Sequence, residues 1–390
     1  MNKEKLIKKF NELFHPNEPV RTFFAPGRIN LIGEHTDYNG GYVFPAAISF
    51  GTYALATKRN DRTIQFYSIN FEENGIISVE LDDLSYRKDD DWANYPKGMI
   101  DQLVQNGAKI EQGFNVLYYG NIPNGAGLSS SASIELVTGV LLESLFQIEI
   151  DRIELVKLGQ RVENEYIGVN SGIMDQFAIG MGKQDHAMLL DCNTLDYQYA
   201  PVRLNEYTIM IMNTNKRREL ADSKYNERRS ECESALKDLQ TELAINSLGD
   251  LSTDQFDNFA KIIQNETERK RAKHAVYENQ RTKDALVKLE VGDLQGFGQL
   301  LNESHLSLQH DYEVTGIELD TLVQAAWDQD GVLGARMTGA GFGGCAIALV
   351  DQSTLDSFKA NVSKVYQEKI GYQPTFYQAT IGDGAKELKA

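Results

Sequence analysis

Hydrophobic and polar positions follow two periods along the chain, and these periods predict a mixture of helices and strands. Leu6, Phe10 and Phe14 recur at helical spacing and predict a helix over 3–14. Short apolar runs between polar turns predict strands over 20–24, 51–57, 64–68, 76–81, 114–120, 207–213 and 374–380. Longer amphipathic or apolar stretches predict helices over 94–106, 134–146, 151–168, 216–240, 292–308, 316–328 and 353–369, with further charge-rich helix in 244–290. The chain is therefore expected to be of the α/β (α+β) class.

Composition and charge narrow the possible functions. A length of 390 residues is enough for about two or three domains. The net charge of −17 argues against a nucleic-acid or anionic-membrane surface, because either would need a basic face. No apolar run approaches the roughly 18 residues of a membrane span, and no signal peptide is apparent. We therefore expect neither a nucleic-acid partner nor a membrane.

The cysteines indicate a reducing compartment. Cys192, Cys232 and Cys345 are few and far apart, so they form neither a metal-ligand spacing nor a disulfide framework. Reduced thiols are typical of cytoplasmic proteins, which is the location that we expect.

Residues 25–45 carry the densest polar chemistry in the chain. Between two apolar segments stand Arg28, Asn30, Glu34, His35, Asp37, Tyr38 and Asn39. Gly33, Gly40 and Gly41 allow positive φ angles and close approach of the backbone to a ligand. A hydrophilic hairpin loop would also collect such residues. The variety of donors and acceptors instead favours a site for a polyhydroxylated ligand.

A second block combines a strand, a glycine–serine loop and an apolar helix. The strand over 114–120 enters residues 120–133, and the helix follows. The unpaired N–H groups of a helix N-terminus bind anions, so this order favours a phosphate site. A serine N-cap on an ordinary buried helix is the simpler alternative. The loop is not a Walker A motif, because Ala126-Gly127 replaces the required Lys-Ser/Thr.

Two carboxylates and a glycine-rich turn complete the candidate chemistry. Glu163 falls on an apolar helical stripe, where it must be paired, ligated or protonated, and a salt bridge to Arg161 is one possibility. Asp175 stands among apolar residues, either as a helix cap or as a functional acid. Residues 331–350 contain a G-x-G-x-x-G pattern followed by a strand. The dinucleotide fingerprint needs a helix there, so a turn between two strands is expected.

Residues 27–41 resemble the sugar-binding signature of galactokinases, members of the GHMP kinase superfamily, and the second and third blocks match the same superfamily in order. The resemblance implies a two-domain GHMP kinase fold with the active site between the domains. Residues 1–203 would form a mixed-sheet N-terminal domain that binds sugar and ATP. Residues 204–390 would form an α+β C-terminal domain. We expect a monomer.

The resemblance also implies the reaction and its residues. The reaction is the ATP-dependent phosphorylation of the anomeric hydroxyl of α-D-galactose, which gives α-D-galactose 1-phosphate and opens galactose metabolism by the Leloir pathway. Asp175 would be the catalytic base and Arg28 its partner. The sugar would be surrounded by Arg28, Glu34, His35, Asp37, Gly172, Asp175 and Tyr225. ATP would contact Trp92, Gly125, Ala126, Gly127, Leu128, Ser129, Ser130 and Ser131. Ser131 and Glu163 would bind Mg²⁺.

Two alternatives stay open at this point. A related kinase could act on N-acetylgalactosamine or another sugar. A galactose sensor of the same fold could bind sugar and ATP without turnover, and such sensors can lack the Ser-Ala pair of the phosphate loop. Ser131-Ala132, Glu163 and Asp175 are all present here, which favours an enzyme.

Overall fold

The computed structural model describes residues 2–123, 126–216 and 221–389, with the side chains at 221 and 222 excepted. Its strands are β1 Arg21–Asn30, β2 Tyr42–Val43, β3 Pro45–Lys58, β4 Thr63–Ser68, β5 Ile77–Glu80, β6 Phe114–Gly120, β7 His186–Asp191, β8 Tyr197–Pro201, β9 Tyr207–Asn213, β10 Val332–Thr338, β11 Cys345–Asp351, β12 Thr375–Ala379 and β13 Lys386–Leu388. Its α-helices are α1 Lys3–Phe14, α2 Asn94–Gln105, α3 Ser130–Phe146, α4 Arg152–Arg161, α5 Met174–Met181, α6 Ala221–Leu239, α7 Thr253–Phe259, α8 Glu266–Glu290, α9 Leu294–Ser307, α10 Gly316–Trp327 and α11 Leu355–Ile370.

The first sheet is mixed and carries the first half of the candidate site. Its strand order is β13-β1-β3-β6-β4-β5, with β4 parallel to β6 and the other pairs antiparallel. Helices α2 to α5 bury their apolar faces in one core with this sheet, including Leu136, Val156 and Phe177. Strand β1 ends at Asn30, so the N-terminal part of the polar segment is strand rather than loop.

The second sheet explains the long apolar run at 207–213. Its order is β10-β11-β9-β12, and all its pairs are antiparallel. Successive side chains of a strand point to opposite faces. Met210 and Met212 accordingly pack in one core with α8 and α10, whereas Ile209 and Ile211 pack in another. A strand buried on both faces loses the alternation of apolar and polar residues.

A third core joins the two halves of the chain. It brings Ile29 and Phe44, from the first half, against Ile211, Ile347 and Phe297 from the second. The C-terminal strand β13 also returns to pair with β1 in the first sheet. The division at residues 203 and 204 stays a prediction.

The other differences from the expected elements are local. The helix expected over 151–168 ends as α4 at Arg161 and continues as a π-helical turn, Val162–Ile167. The short strands β2, β7 and β8, which form a third sheet, were missed by the period-based prediction. In the described part of the chain, no helix combines the length and apolarity needed to cross a membrane.

Candidate functional site

A cavity of about 260 Å³ opens where β1, α5 and α6 meet the turn between β10 and β11. All seven residues expected to surround a sugar line it: Arg28, Glu34, His35, Asp37, Gly172, Asp175 and Tyr225. Pattern reasoning did not place Asn226, Val169 or Ser171 there, and they too line the cavity. Residues from five separate parts of the sequence therefore converge on one polar pocket.

Arg28 and Asp175 form a bidentate ion pair at the floor of this cavity. Arg28 Nε and Nη2 donate to the two Asp175 carboxylate oxygens over 2.8 and 2.9 Å. The Arg28 side chain is 6% exposed and that of Asp175 is 30% exposed, so the arginine is the buried support and the carboxylate reaches the pocket. Ser129 Oγ also donates to Asp175. The pair keeps a carboxylate available in a fixed orientation.

The same arginine also bonds to the expected phosphate loop, the segment that directly precedes α3. Arg28 Nη1 donates to the Gly127 carbonyl over 2.8 Å, and the Arg28 backbone N–H donates to the Leu128 carbonyl over 3.1 Å. Ser129, at the start of α3, has a left-handed backbone and makes no side-chain cap on the helix, because its hydroxyl is turned to Asp175. The simple N-cap alternative is therefore wrong, and the first-turn N–H groups of α3 stay available for an anion.

Glu34 is buried and held by the glycine-rich turn. Its Oε1 accepts a hydrogen bond from the Gly339 N–H at 2.8 Å and lies 3.4 Å from Arg336 Nη1. Burial raises the pKa of Glu34, while the charges of Arg336 and Arg28 lower it. The glycine-rich turn of residues 331–350 thus directs the N–H of Gly339 to this carboxylate.

His35 lies against the cavity with both ring nitrogens already bonded. A carbonyl can only accept, so Nε2 donates to the Ala340 carbonyl at 3.1 Å and Nδ1 accepts from the Tyr38 hydroxyl at 2.7 Å. Burial lowers the pKa of His35 to about 3, which keeps the ring neutral. The geometry supports a role in shaping the pocket, through ring contacts with Tyr312 and Tyr225.

Asp37 and Gly172 meet at the rim. A Cβ at residue 172 would lie 1.8 Å from Asp37 Oδ2, so only glycine permits this approach. Burial and the nearby carboxylates of Asp175 and Glu34 together raise the pKa of Asp37 to about 6. The pocket thus presents three carboxylates, those of Glu34, Asp37 and Asp175, to a ligand.

A second cavity, of about 220 Å³, lies on the other side of the phosphate loop. It is lined by Trp92, Tyr95, Phe71, Tyr118, Ser130 and Ser131, among others. Trp92 is buried, and its indole Nε1 has no hydrogen-bond partner in the described structure. Ala126 and Leu128 are buried below the loop, and Gly125 lies outside the described residues. An aromatic cavity beside a helix N-terminus has the composition of a nucleotide site.

Ser131 and Glu163 come together although 32 positions separate them. Ser131 Oγ donates to Glu163 Oε1 over 2.7 Å. Burial raises the pKa of Glu163, and Asp175 raises it further, whereas hydrogen bonds from Ser171 and Ser131 lower it. Its neighbours are hydroxyls and a second carboxylate rather than Arg161, so the salt-bridge alternative is not the arrangement observed.

These two oxygen ligands fit a magnesium ion that is bound jointly by the protein and by phosphates. A hydroxyl and a carboxylate are the oxygen ligands that Mg²⁺ prefers, and proteins supply it with one or two carboxylates besides phosphate oxygens and water. Within residues 2–123, 126–216 and 221–389, no group of three or more His, Cys, Asp or Glu side chains could hold a metal.

Three family models match the chain. They are the galactokinase galactose-binding signature over residues 8–58, the GHMP kinases N terminal domain over 94–183 and the GHMP kinases C terminal domain over 283–368. The galactokinase of Ligilactobacillus salivarius is 62% identical over 388 residues, covering 100% of both chains. That of Lactiplantibacillus plantarum is 60% identical over 388 residues, also covering 100% of both.

Solved structures agree with the fold. The crystal structure of Lactococcus lactis galactokinase complexed with galactose matches with a TM-score of 0.97 and 56% identity, covering 99% of each chain. Methanococcus jannaschii mevalonate kinase matches with a TM-score of 0.64 and 19% identity, covering 94% of this chain and 100% of that one, which shows a shared fold only.

The raised pKa of Asp37 predicts a pH-dependent stability difference. The pKa of Asp37 in the folded protein is about 6, which is higher than its ordinary value of 3.8. The free energy of unfolding therefore falls as the pH rises between these two values and Asp37 ionises. Asp37→Asn stays neutral and escapes this loss. We expect the melting temperature of the variant, relative to the parent protein, to rise between pH 4.5 and pH 7.5. An unchanged difference across this range would contradict the assignment.

Proposed function

Since the chain belongs to the galactokinase family of GHMP kinases, we propose that it transfers the γ-phosphoryl group of ATP to the anomeric hydroxyl of α-D-galactose, giving α-D-galactose 1-phosphate. One observation supports this proposal above the others. The Arg28–Asp175 pair stands between the sugar-sized cavity and the phosphate loop, where an acceptor hydroxyl and a γ-phosphate would meet.

Asp175 accepts the proton of the attacking hydroxyl. Its carboxylate is oriented by the bidentate contact from Arg28 and lines the sugar cavity. Phosphoryl transfer proceeds through a loose transition state, so positioning the acceptor and offsetting charge contribute more than early deprotonation. The guanidinium of Arg28 also lies close enough to the phosphate loop to offset charge that develops on the transferring group.

The sugar is oriented by hydrogen bonds from the cavity wall. Glu34 and Asp37 accept from sugar hydroxyls, and Tyr225 closes the pocket. Gly172 allows Asp37 its position at the rim. His35 supports the wall, because its two nitrogens are engaged by Tyr38 and Ala340. Removing an acceptor from such a buried contact costs about 1–3 kcal/mol.

ATP enters through the second cavity. Its base lies near Trp92, and its phosphates lie along residues 125–131 at the N-terminus of α3. Ser131 and Glu163 would hold Mg²⁺, and the ion would offset the negative charge of the phosphate groups. In the described structure, Cys192, Cys232 and Cys345 form no disulfide, which supports the cytoplasmic location that we propose. A monomer stays the expected state.

A sugar panel tests the proposed reaction. ADP release with Mg²⁺-ATP is measured for galactose, glucose, N-acetylgalactosamine and arabinose, with mevalonate as a non-sugar control. We expect turnover with galactose far above the rest. Preferential turnover of N-acetylgalactosamine would make the chain a kinase for that sugar. Galactose binding without turnover of any compound would make it a sensor. Either result would contradict the proposal.

Asp175→Ala tests the catalytic base. We expect kcat to fall by at least about 10²-fold, the scale of general acid–base catalysis, while calorimetry still detects galactose binding. Asp356→Ala, which removes an exposed carboxylate from α11, is the control and should keep the parent kcat. A kcat for Asp175→Ala close to that of the parent protein would remove the residue from the proton transfer.

Glu163→Gln tests the metal site. Because the variant loses a charged oxygen ligand, we expect it to need about 10-fold or more Mg²⁺ for half-maximal activity. Glu165→Gln changes an exposed carboxylate two residues away and serves as the matched control. Identical Mg²⁺ titration curves for the two variants would show that Glu163 does not hold the ion.

A further inference from the structure

Helix α8 carries a buried polar face that the reaction scheme does not use. His274, Glu278, Asn279 and Thr282 recur at helical spacing, and all four are buried. Sequence reasoning found only a charge-rich helix in this region. Buried polar groups need partners. Thr282 donates to the Glu278 carbonyl within the helix, whereas Glu278, His274 and Asn279 each bond to the backbone of residues 33–42, the loop that carries Glu34 and Asp37.

Glu278 binds the backbone of the loop with one oxygen and an arginine with the other. Its Oε1 accepts from the Gly33 N–H at 3.0 Å and from the Glu34 N–H at 3.3 Å. Ser304 Oγ donates to the same oxygen, and Arg281 Nε donates to Oε2 over 2.8 Å. Two successive backbone N–H groups turned to one anion form a concave anion site. Gly33, with a φ of +92°, makes this turn possible.

Electrostatics keep Glu278 charged despite its complete burial. Burial alone would raise the pKa of its carboxyl group, but Arg281, His274 and Arg336 lower it, as does the hydrogen bond from Ser304, and the pKa is about 2. The side chain is therefore an acceptor for these donors throughout the working pH range, and it never competes with them as a donor.

His274, one helical turn before Glu278 on α8, also forms a hydrogen bond with the backbone of Glu34. Its Nε2 donates to the Glu34 carbonyl over 3.0 Å, and its Nδ1 lies 2.9 Å from Ser307 Oγ. The backbone N–H and C=O of Glu34 are thus both bonded to side chains of α8, while its Oε1 is bonded to Gly339. Further along α8, Asn279 Oδ1 accepts from the Tyr42 N–H over 2.8 Å, which fixes the end of the loop.

We propose that Glu278 and His274 are positioning residues for galactose recognition, which hold the backbone of Glu34 so that its carboxylate faces the sugar. This inference rests on the proposed function. It assigns specificity for the sugar partly to two residues that lie 240 and 244 positions after Glu34 in sequence and that act through Glu34 rather than by touching the ligand.

Glu278→Gln removes the charge and places an amide donor against Arg281 or the loop N–H groups. We expect the KM and the calorimetric Kd for galactose to rise about 10-fold, while the KM for ATP and kcat change by less than about two-fold. Asp284→Asn, at an exposed carboxylate on the same helix, should leave all four values unchanged. An unaltered galactose Kd in a folded Glu278→Gln protein would overturn the proposal.

A pair of variants at His274 decides the question if Glu278→Gln does not fold. Glutamine can place its side-chain NH₂ near the position of the histidine Nε2–H, whereas leucine cannot donate. We expect His274→Gln to keep most of the galactose affinity and His274→Leu to lose several-fold. Equal affinities in the two variants would contradict a role in positioning. Parent protein that binds no galactose would instead refute the proposed function, and the inference with it.

Discussion

Arg28 donates two hydrogen bonds to Asp175 and one to the Gly127 carbonyl, and the candidate active site depends on these contacts. They join strand β1, helix α5 and the phosphate loop at one buried guanidinium. An arginine buried without a carboxylate partner would be strongly unfavourable. The ion pair therefore fixes the geometry of the proposed base and of the loop that would hold ATP.

Elsewhere in the sugar cavity, buried charged side chains are also held by several hydrogen-bond partners. Glu34 is bonded through its side chain to Gly339 and through its backbone to α8. Asp37 is the exception, because no arginine among the described residues forms an ion pair with it, and its pKa is raised to about 6. Polar groups that are buried and aimed at a cavity lower the stability of the empty protein, and they are typical of sites built for a ligand.

Much of this arrangement could be predicted from the sequence. The strand–loop–helix order placed the phosphate loop, and the seven expected sugar-pocket residues do line one cavity. The contributions of Glu278 and His274 could not be predicted, because a buried helix face with polar residues resembles a solvated face in pattern. Their partners are known only when the fold brings α8 against the loop. By contrast, the family resemblance did imply that Ser131 and Glu163 share one site, and their hydrogen bond forms where α3 meets the π-helical turn.

The proposed reaction is tested most directly by determining which hydroxyl of galactose becomes phosphorylated. Galactose labelled with carbon-13 at the anomeric carbon is incubated with the protein, ATP and Mg²⁺, and the product is examined by phosphorus and carbon NMR. We expect a phosphate coupled to the labelled carbon in the α configuration, with ADP formed in equal amount. Phosphate on another hydroxyl, or ADP formed without any sugar phosphate, would contradict the proposed reaction.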